Sequence, residues 1–553
     1  MNIKWLNWEK ASFEGAKRND KPILLKIGAT WCHWCHVMDE TTYQDPAVIE
    51  HVNRDFTPIE VDNDSRPDIN ERYNMGGWPT TAFLTPDGEL ITGATYLPAA
   101  DFLRVSEEVF KYYRENKDAI GRVIPKAMEI RRDSAEINWN IIDEIVGEVI
   151  DAFDPVYAGF GYGQKFPQAD LLDLLLLYSV RTEDEASKAA LILTLDAMRV
   201  GEIRDFDRGG FYRYATMRDW RQPHFEKMLE DNAKLLSIYL DSYLLKGDER
   251  YLNTAYSIRD FLLTDLFDDA FLGSVDADSK KVDRRIFTNW NGIAVSSFVK
   301  LFEVSGKIKD LDPAIKATDT ILDTLYTRGE GMLHTEDEKG IKLLSDQVWF
   351  AGGLLDLYRV TGKHRYLESV KDLVEFTLRA FRWDETGLFF DSLVDEDLKF
   401  LSDKVWKIGD NSMLAGLLID LSLITGADGY LSEAEALLKR MSAEYKQHGI
   451  FSALFGLAVD KYLRLVHIVI FGEEEEVKRI SKDALSIFEP NRTLEILKTS
   501  LNPERIADLG LSDKSGVYAC RRGSCMIFKG DAIKEDLVKF LKGGEPIGET
   551  SST

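Results

Sequence analysis

Six times between residues 159 and 451 a glycine stands beside an aromatic or other large apolar residue at the end of one helical pattern and ahead of the next. The copies are Gly159-Phe160, Gly209-Gly210, Phe271 to Gly273, Gly331-Met332, Gly387 to Phe389 and Gly449 to Phe451, at a period of roughly 50 to 65 residues. The fullest, residues 209–231, reads GGFYRYATMRDWRQPHFEKMLED. Its glycines stop a helix, Arg218 to Pro223 cannot lie inside one, and from His224 onward Phe225, Met228, Leu229, Leu235, Leu236, Tyr239 and Leu240 recur at helical spacing. Polar-faced outer helices fall at residues 141–153, 187–200, 251–266, 313–326, 365–381 and 432–445. More uniformly apolar inner helices begin near Gln168, His224, Asn291, Gln347, Asn411 and Ser452. Helices apolar on every side need an enclosing ring, so the twelve predict a closed all-α (α/α)6 barrel.

Alternating antiparallel hairpins point all inner helices the same way, so their N-termini should share one mouth. The loops that lead there carry Lys165-Phe166-Pro167, Trp220 with His224 and Glu226, Asp276 with Asp278, Asn289-Trp290-Asn291, Asp346 with Trp349, and Trp406 with Asp410-Asn411. Indoles, carboxylates and amides beside positive helix ends suit a sugar-like, polyhydroxylated ligand. His224, Glu226, Asp276 and Asp278 are the candidate catalytic groups; Lys165, Trp220, Asn289, Trp290, Asn291, Asp346, Trp406, Asp410 and Asn411 are candidates for binding. Taken singly, Asn291, Asp346 and Asp410 also read as helix caps. His224 follows Pro223 and is expected in the first helical turn, where the dipole favours the neutral imidazole of a general base. His334 is a more distant candidate.

At the other end of the chain, residues 21–38 read as a buried strand running into Cys32-His33-Trp34-Cys35 at a helix start. A cysteine there has its thiolate stabilised by the helix dipole and attacks, while the one a turn further resolves the mixed disulfide. The same residues also match haem attachment (Cys32-x-x-Cys35-His36) and a metal cluster, but four such side chains on one helical turn cannot converge on one ion. The expectation is a redox-active Cys32–Cys35 pair with no other cofactor and no metal. A strand at residues 56–61, an acidic turn, a short helix, Gly76-Gly77-Trp78-Pro79-Thr80 and strands at 82–84 and 89–91 follow.

Residues 1–120 resemble a thioredoxin-like domain, which implies that Cys32 is the nucleophile, Cys35 the resolving thiol, and Pro79 a cis proline lining the substrate groove. Its fusion to a helical barrel resembles the YyaL and spermatogenesis-associated thioredoxin-barrel family. The matching segments are WCHWCHVM, GFGYGQKFP, GGFYRYATMRDWRQPHFEKML, DADS at residues 276–279 and NWNG at 289–292. The barrel half is similar to N-acylglucosamine 2-epimerases, cellobiose epimerases and six-hairpin glycosidases. In that family a substantial insertion separates DADS from NWNG, where this chain has only residues 280–288.

At 553 residues two or three domains are expected: thioredoxin-like at 1–120, barrel at 121–463, a small α/β appendage at 464–542 and a disordered tail at 543–553. Residues 103–132 read as a helical connector. A net charge of -25 and the lack of a basic stripe argue against nucleic acid and anionic membrane as partners. With no long apolar run and no apolar leader, a cytoplasmic location is expected. Three functions remain open: sugar chemistry in the barrel, epimerase-like or glycosidase-like; thiol–disulfide exchange with a protein partner, the barrel binding or regulating the client; and recognition without catalysis. In the appendage, Cys520 and Cys525 could form a labile disulfide, bind metal or simply pack.

Overall fold

The structure, a computed structural model, describes residues 2–117, 134–336, 340–393, 404–511, 515–530 and 532–542. The expected boundary at residue 120, the end of the connector and the tail at 543–553 lie outside the described residues. The first part alternates α1 (Lys10–Asn19), β1 (Ile23–Gly28), α2 (His33–Glu40), α3 (Pro46–Asp55), β2 (Thr57–Asp62), α4 (Pro67–Tyr73), β3 (Thr80–Leu84), β4 (Leu90–Ala94) and α5 (Ala99–Asn116). The sheet order is β2-β1-β3-β4, with β1 parallel to β2 and antiparallel to β3. Every residue of β1 is buried, because helices cover both faces of the sheet: Ile23, Leu25 and Ile27 join one cluster and Leu24 the other.

Twelve helices follow as hairpins: α6 (Asn140–Asp151), α7 (Ala169–Thr182), α8 (Glu185–Val200), α9 (Leu229–Lys246), α10 (Glu249–Asp265), α11 (Thr288–Ser305), α12 (Asp312–Thr324), α13 (Leu344–Thr361), α14 (His364–Ala380), α15 (Ile408–Thr425), α16 (Asp428–Met441) and α17 (Ala453–Arg464). The odd-numbered members α7 to α17 form the inner ring. Each packs on the next and α17 packs back on α7, so the barrel is closed. Helix α15 has the length and apolar content of a membrane span, but 72% of it is buried in the ring, where an inner helix is surrounded by protein.

The sequence repeat has a physical basis in buried amides. Asn291 accepts from Phe271 N at 2.9 Å and donates to Phe271 O at 2.9 Å and Phe287 O at 3.0 Å, tying the incoming loop to the helix start. Asn232 does the same with Phe211 and Met228, Gln347 with Met332 and Leu343, and Asn411 with Phe389 and Lys407. Each amide lies four residues after the N-cap whose carbonyl it binds, and so replaces hydrogen bonds that the loop lacks. Gly210 and Gly331 precede two of the clamped residues at φ +74° and +80°; an added Cβ would fall 2.8 and 2.6 Å from the clamping oxygen.

The last part comprises β5 (Val466–Gly472), α18 (Glu474–Leu485), β6 (Thr493–Lys498), α19 (Pro503–Asp508), β7 (Gly516–Arg521), β8 (Ser524–Phe528) and α20 (Ile533–Lys542). Its sheet order, β6-β5-β7-β8, and its strand directions repeat those of the first sheet. It lies against the C-terminal ends of inner helices: Tyr358 Oη donates to Glu495 at 3.0 Å, and Thr493 Oγ1 to Asp420 at 2.5 Å. Cys520 and Cys525, paired across β7 and β8, form a disulfide.

Candidate functional site

The first sheet and its helices sit on the opposite end of the barrel, over the inner-helix N-termini. Arg72 donates to Asp391 at 2.8 Å with both side chains buried, and Arg285 bridges Asp62 at 2.6 Å and Asp283 at 2.5 Å. His334 Nε2 lies 2.7 Å from Asp64 O, and Lys407 Nζ 3.0 Å from Glu71. The Cys32-x-x-Cys35 turn faces into this junction.

Cys32 is the N-cap of α2, and its sulfur accepts from Cys35 N at 3.3 Å, the contact that stabilises a thiolate at a helix start. Both thiols are free and buried. The hydrogen bond to the Cys32 sulfur, reinforced by burial, pushes the Cys35 thiol far up, which leaves Cys35 a poor nucleophile. Cys32 packs with Trp31 and with Met228 of the barrel, flanked by Trp78 and Trp290, so neither sulfur is open to a large partner while the two parts are closed. The Trp78–Pro79 peptide is cis, as the resemblance implies.

Around this turn lie the four candidate catalytic groups of the barrel, arranged otherwise than expected. His224 does not begin a helix. It belongs to a two-residue strand, Pro223–His224, paired with Tyr214–Ala215, and α9 starts only at Leu229. Proline at 223 is an extended residue here, not a first helical one, and the apolar spacing extended the helix pattern too early. The His224 imidazole is held below its ordinary value by burial, then by the nearby His33, with no helix dipole involved. Its Nδ1 lies 2.9 Å from Tyr214 Oη. Glu226 is 1% exposed, its Oε2 has no hydrogen-bond partner among the described residues, and burial raises its carboxyl to about 7. Asp276 accepts from Asp278 N at 3.1 Å and Ser279 N at 2.5 Å, and so shapes its own turn. Asp278 reaches across to His33 Nδ1 at 3.0 Å and His36 Nδ1 at 3.2 Å. Burial works against its ionisation, but those two contacts outweigh it and its carboxyl sits below the ordinary value.

Beneath the junction is a chamber of about 330 Å³. Its floor comes from the first turns of five inner helices: Glu230 and Lys234 of α9, Asn289, Trp290 and Ile293 of α11, Ser345 and Trp349 of α13, Gly409 and Asp410 of α15, and Leu454 of α17. Asn63, Asp64, Pro67 and Asp68 form its roof. Asp410 accepts from Trp349 Nε1 at 3.2 Å, and burial raises its carboxyl to about 6. Asp64 accepts from Trp31 Nε1 at 2.7 Å and is raised to about 7, by burial first and Asp62 second. His334 is gripped on both ring nitrogens, by Asp346 at 2.9 Å and Asp64 O; burial opposes its charge, and Asp346 more than compensates.

Of the binding candidates, Asn289, Trp290 and Asp410 line the chamber, and Asp346 stands behind His334. Five others are structural. Lys165 is fully buried on Asp154 at 2.9 Å, and Lys227 on Asp205 at 2.8 Å repeats that anchor one unit later. Trp220 is 2% exposed, fills the space over Gly159 and donates to Tyr157 O at 2.9 Å. Asn291 and Asn411 are loop clamps, and Trp406 packs on His448 with ring centres 4.9 Å apart. Sequence reasoning did not single out Asp64, Glu230 or Lys234; only the i, i+4 spacing of Glu230 and Lys234 at the start of α9 signals a pair.

A thioredoxin-like domain seated on the mouth of an (α/α)6 barrel defines the class. Residues 1–130 match the family model Thioredox_DsbH, described as "Protein of unknown function, DUF255". The chain is 26% identical over 541 residues to "Uncharacterized protein B0495.5" of Caenorhabditis elegans, covering 72% of this chain and 74% of that one. It is 31% identical over 307 residues to human spermatogenesis-associated protein 20, covering 50% of this chain and 39% of the human protein, less than half of that relative's length. It is 22% identical over 293 residues to a cellobiose 2-epimerase of Bacteroides fragilis, covering 48% of this chain and 71% of the enzyme. These likenesses support a YyaL-like, two-domain thioredoxin-barrel protein akin to the spermatogenesis-associated relatives.

Proposed function

We propose that the chamber binds a sugar-like, polyhydroxylated ligand of one or two rings, and that Asp410 is the lining carboxyl that addresses it. The carrying observation is the chamber itself: two indoles, an amide and a carboxyl near neutrality at the convergent N-termini of five inner helices. Its volume suits a small ligand at the lower end of the usual range of about 300 to 1,000 Å³. The likeness to a cellobiose 2-epimerase points toward the same ligand class. An epimerase that works with two histidines has little support, since His334 is the one histidine lining the chamber among the described residues and both its nitrogens are engaged. Acid–base work by a lining carboxyl, as in glycosidases, fits better. The test is calorimetry of the full chain with a panel of mono- and disaccharides. Binding is expected and should weaken in Trp290→Ala; a panel without any binder sinks the reading.

A second reading concerns the dithiol, and the Cys32 N-cap geometry favours it. Cys32 attacks a partner disulfide, forming a mixed disulfide and releasing the partner's first thiolate. Cys35 then displaces the second partner sulfur and closes Cys32–Cys35, so the partner is reduced by two electrons and the dithiol oxidised. Because Met228 and Trp290 cover Cys32, the partner is a small disulfide or gains access when the two parts separate.

A further inference from the structure

The charges around the chamber divide into satisfied and unsatisfied. Lys234 Nζ is held by Glu230 at 3.0 Å and Asp170 at 3.2 Å, and Lys407 Nζ by Glu71 at 3.0 Å. Asp68 is held by Arg66 and Asp391 by Arg72, each at 2.8 Å. His334 is fixed between Asp346 and a backbone carbonyl. That leaves Asp64 and Asp410: among the described residues neither is in an ion pair, although Lys407 acts on Asp410 at longer range against Asp346 and Asp391, and Arg285 acts on Asp64 against Asp62. Asp64 receives only neutral donors, Trp31 Nε1 and Asn63 Nδ2. Asp410 is 9% exposed, and among the described residues the only hydrogen bond to its side chain is from Trp349 Nε1 to Oδ1, so Oδ2 is unpartnered at the chamber wall. Every lining cation is already committed, two carboxyls are not, and two indole faces stand beside them.

Among the described residues an anionic ligand, whether a uronate or a sugar phosphate, would meet no free cation here and would lie against two carboxyls that are in no ion pair. A neutral sugar would leave both as they are. A ligand with an ammonium group would compensate one of them and could rest the charge on the face of Trp290; the Trp349 ring already carries Lys234 Nζ, 5.2 Å from its centre. We infer that the chamber's ligand is an amino sugar, or an aminated polyol of that size, with its ammonium against Asp410 and its ring between the indoles. The inference rests on the polyhydroxylated-ligand reading above and adds the sign of the ligand's charge.

Binding of a cation beside a carboxyl raised to about 6 also drives off the proton that Asp410 carries, so amine binding should release protons and strengthen as pH rises from 5 to 7. The experiment is calorimetry of the full chain with D-glucosamine, D-glucose, N-acetyl-D-glucosamine and D-glucuronate, near pH 6 and in buffers of different ionisation enthalpy. Glucosamine is expected to bind about tenfold more tightly than glucose or N-acetylglucosamine, with glucuronate weakest and with proton release only for the amine. Asp410→Asn should cost the glucosamine preference about tenfold and abolish its proton release. Equal or tighter binding of glucose, N-acetylglucosamine or glucuronate overturns the charge inference and leaves the sugar reading standing. Glucosamine binding without proton release by the wild-type protein overturns the assignment to Asp410 without relying on a variant. Binding of none of the four overturns both readings.

Discussion

Two sheets with the same strand order and directions close the two ends of the barrel, and they do opposite things there. In the first, the turn after β1 presents Cys32 as the cap of α2; in the second, β5 ends at Gly472 and α18 opens on Glu474, Glu475 and Glu476, with no thiol at that turn. The second sheet meets the inner-helix C-termini through buried charge. Glu495, 0% exposed, is held by His467 at 2.8 Å, Arg505 at 2.8 Å and Tyr358. The first sheet meets the N-termini through polar contacts, some of them half-exposed, around a chamber. Topology therefore does not confer the chemistry; the residue at one strand-to-helix turn and the packing beneath it do.

Breaking the sealed end should have the largest effect. Glu495→Leu strands His467 and Arg505 without their acceptor, and removing one partner of a buried charge set costs about 3 to 5 kcal/mol. Thermal unfolding should shift down strongly, while the alkylation rate of Cys32 at the other end stays as in the wild type. The native network holds Glu495 down to about 2 against an ordinary 4.5. Its contribution is thus fully present above pH 4.5 and is lost as pH falls toward 2. A variant whose stability deficit persists undiminished at pH 2 would show that packing, not charge, is what was lost.

How far all this is legible in the sequence follows the same division. Periodicity revealed the twelve helices and closure because apolar-all-round helices have few other solutions, and the glycine loops marked every unit. What periodicity cannot distinguish is a polar residue that faces a ligand from one that faces its own backbone. Asn291 and Asn411 satisfy loop carbonyls, Lys165 satisfies Asp154, and at the level of residue type they look like binding groups. His224 lies outside the helix because a pair of two-residue strands, Tyr214–Ala215 and Pro223–His224, interrupts a pattern that reads as helix. The docking of the first sheet on the mouth rests on pairs such as Arg72–Asp391, 319 residues apart, which leave no local trace. The resemblance of the second sheet to the first is invisible for the same reason: it lies in strand order.

At the thiol end the next effect is of opposite sign. Glu226 is buried without a partner for Oε2, and its carboxyl is raised to about 7 from an ordinary 4.5. A group whose folded value is raised binds its proton more tightly folded than unfolded. It adds nothing against pH once the pH is well above 7, and from pH 4.5 up through 7 it makes the fold progressively less stable. Glu226→Gln removes that titration. The variant should match the wild type near pH 4 and be more stable at pH 8 by up to roughly 3 kcal/mol, read from denaturant midpoints at the two values. A variant less stable at both would mean that the carboxylate has a partner worth more than its desolvation cost.

The smallest effect expected is the most informative about how the first sheet is held. Asp278 touches His33 and His36 across the junction, but its side chain is 48% exposed and that of His33 40%, so solvent screens the pair. Pairs of this kind contribute about 0 to 1 kcal/mol. The buried Arg72–Asp391 pair, at 8% and 5% exposure, and the Arg285 bridge hold the same surfaces with less screening. Asp278→Asn should therefore leave global unfolding unchanged and shift only the small population in which the two parts have separated near the cysteines. In a Cys35→Ser background, with Cys520 and Cys525 joined to each other, Cys32 is the one free thiol and its iodoacetamide modification reports that population. The rate should rise by roughly two- to fivefold, the ratio that up to about 1 kcal/mol allows. An unchanged rate would place the whole restraint on the buried pairs, and the first sheet would then be sealed as tightly as the second. A rise far beyond that range would mean that the half-exposed contact is the principal restraint and that the buried pairs at this end do not resemble those around Glu495.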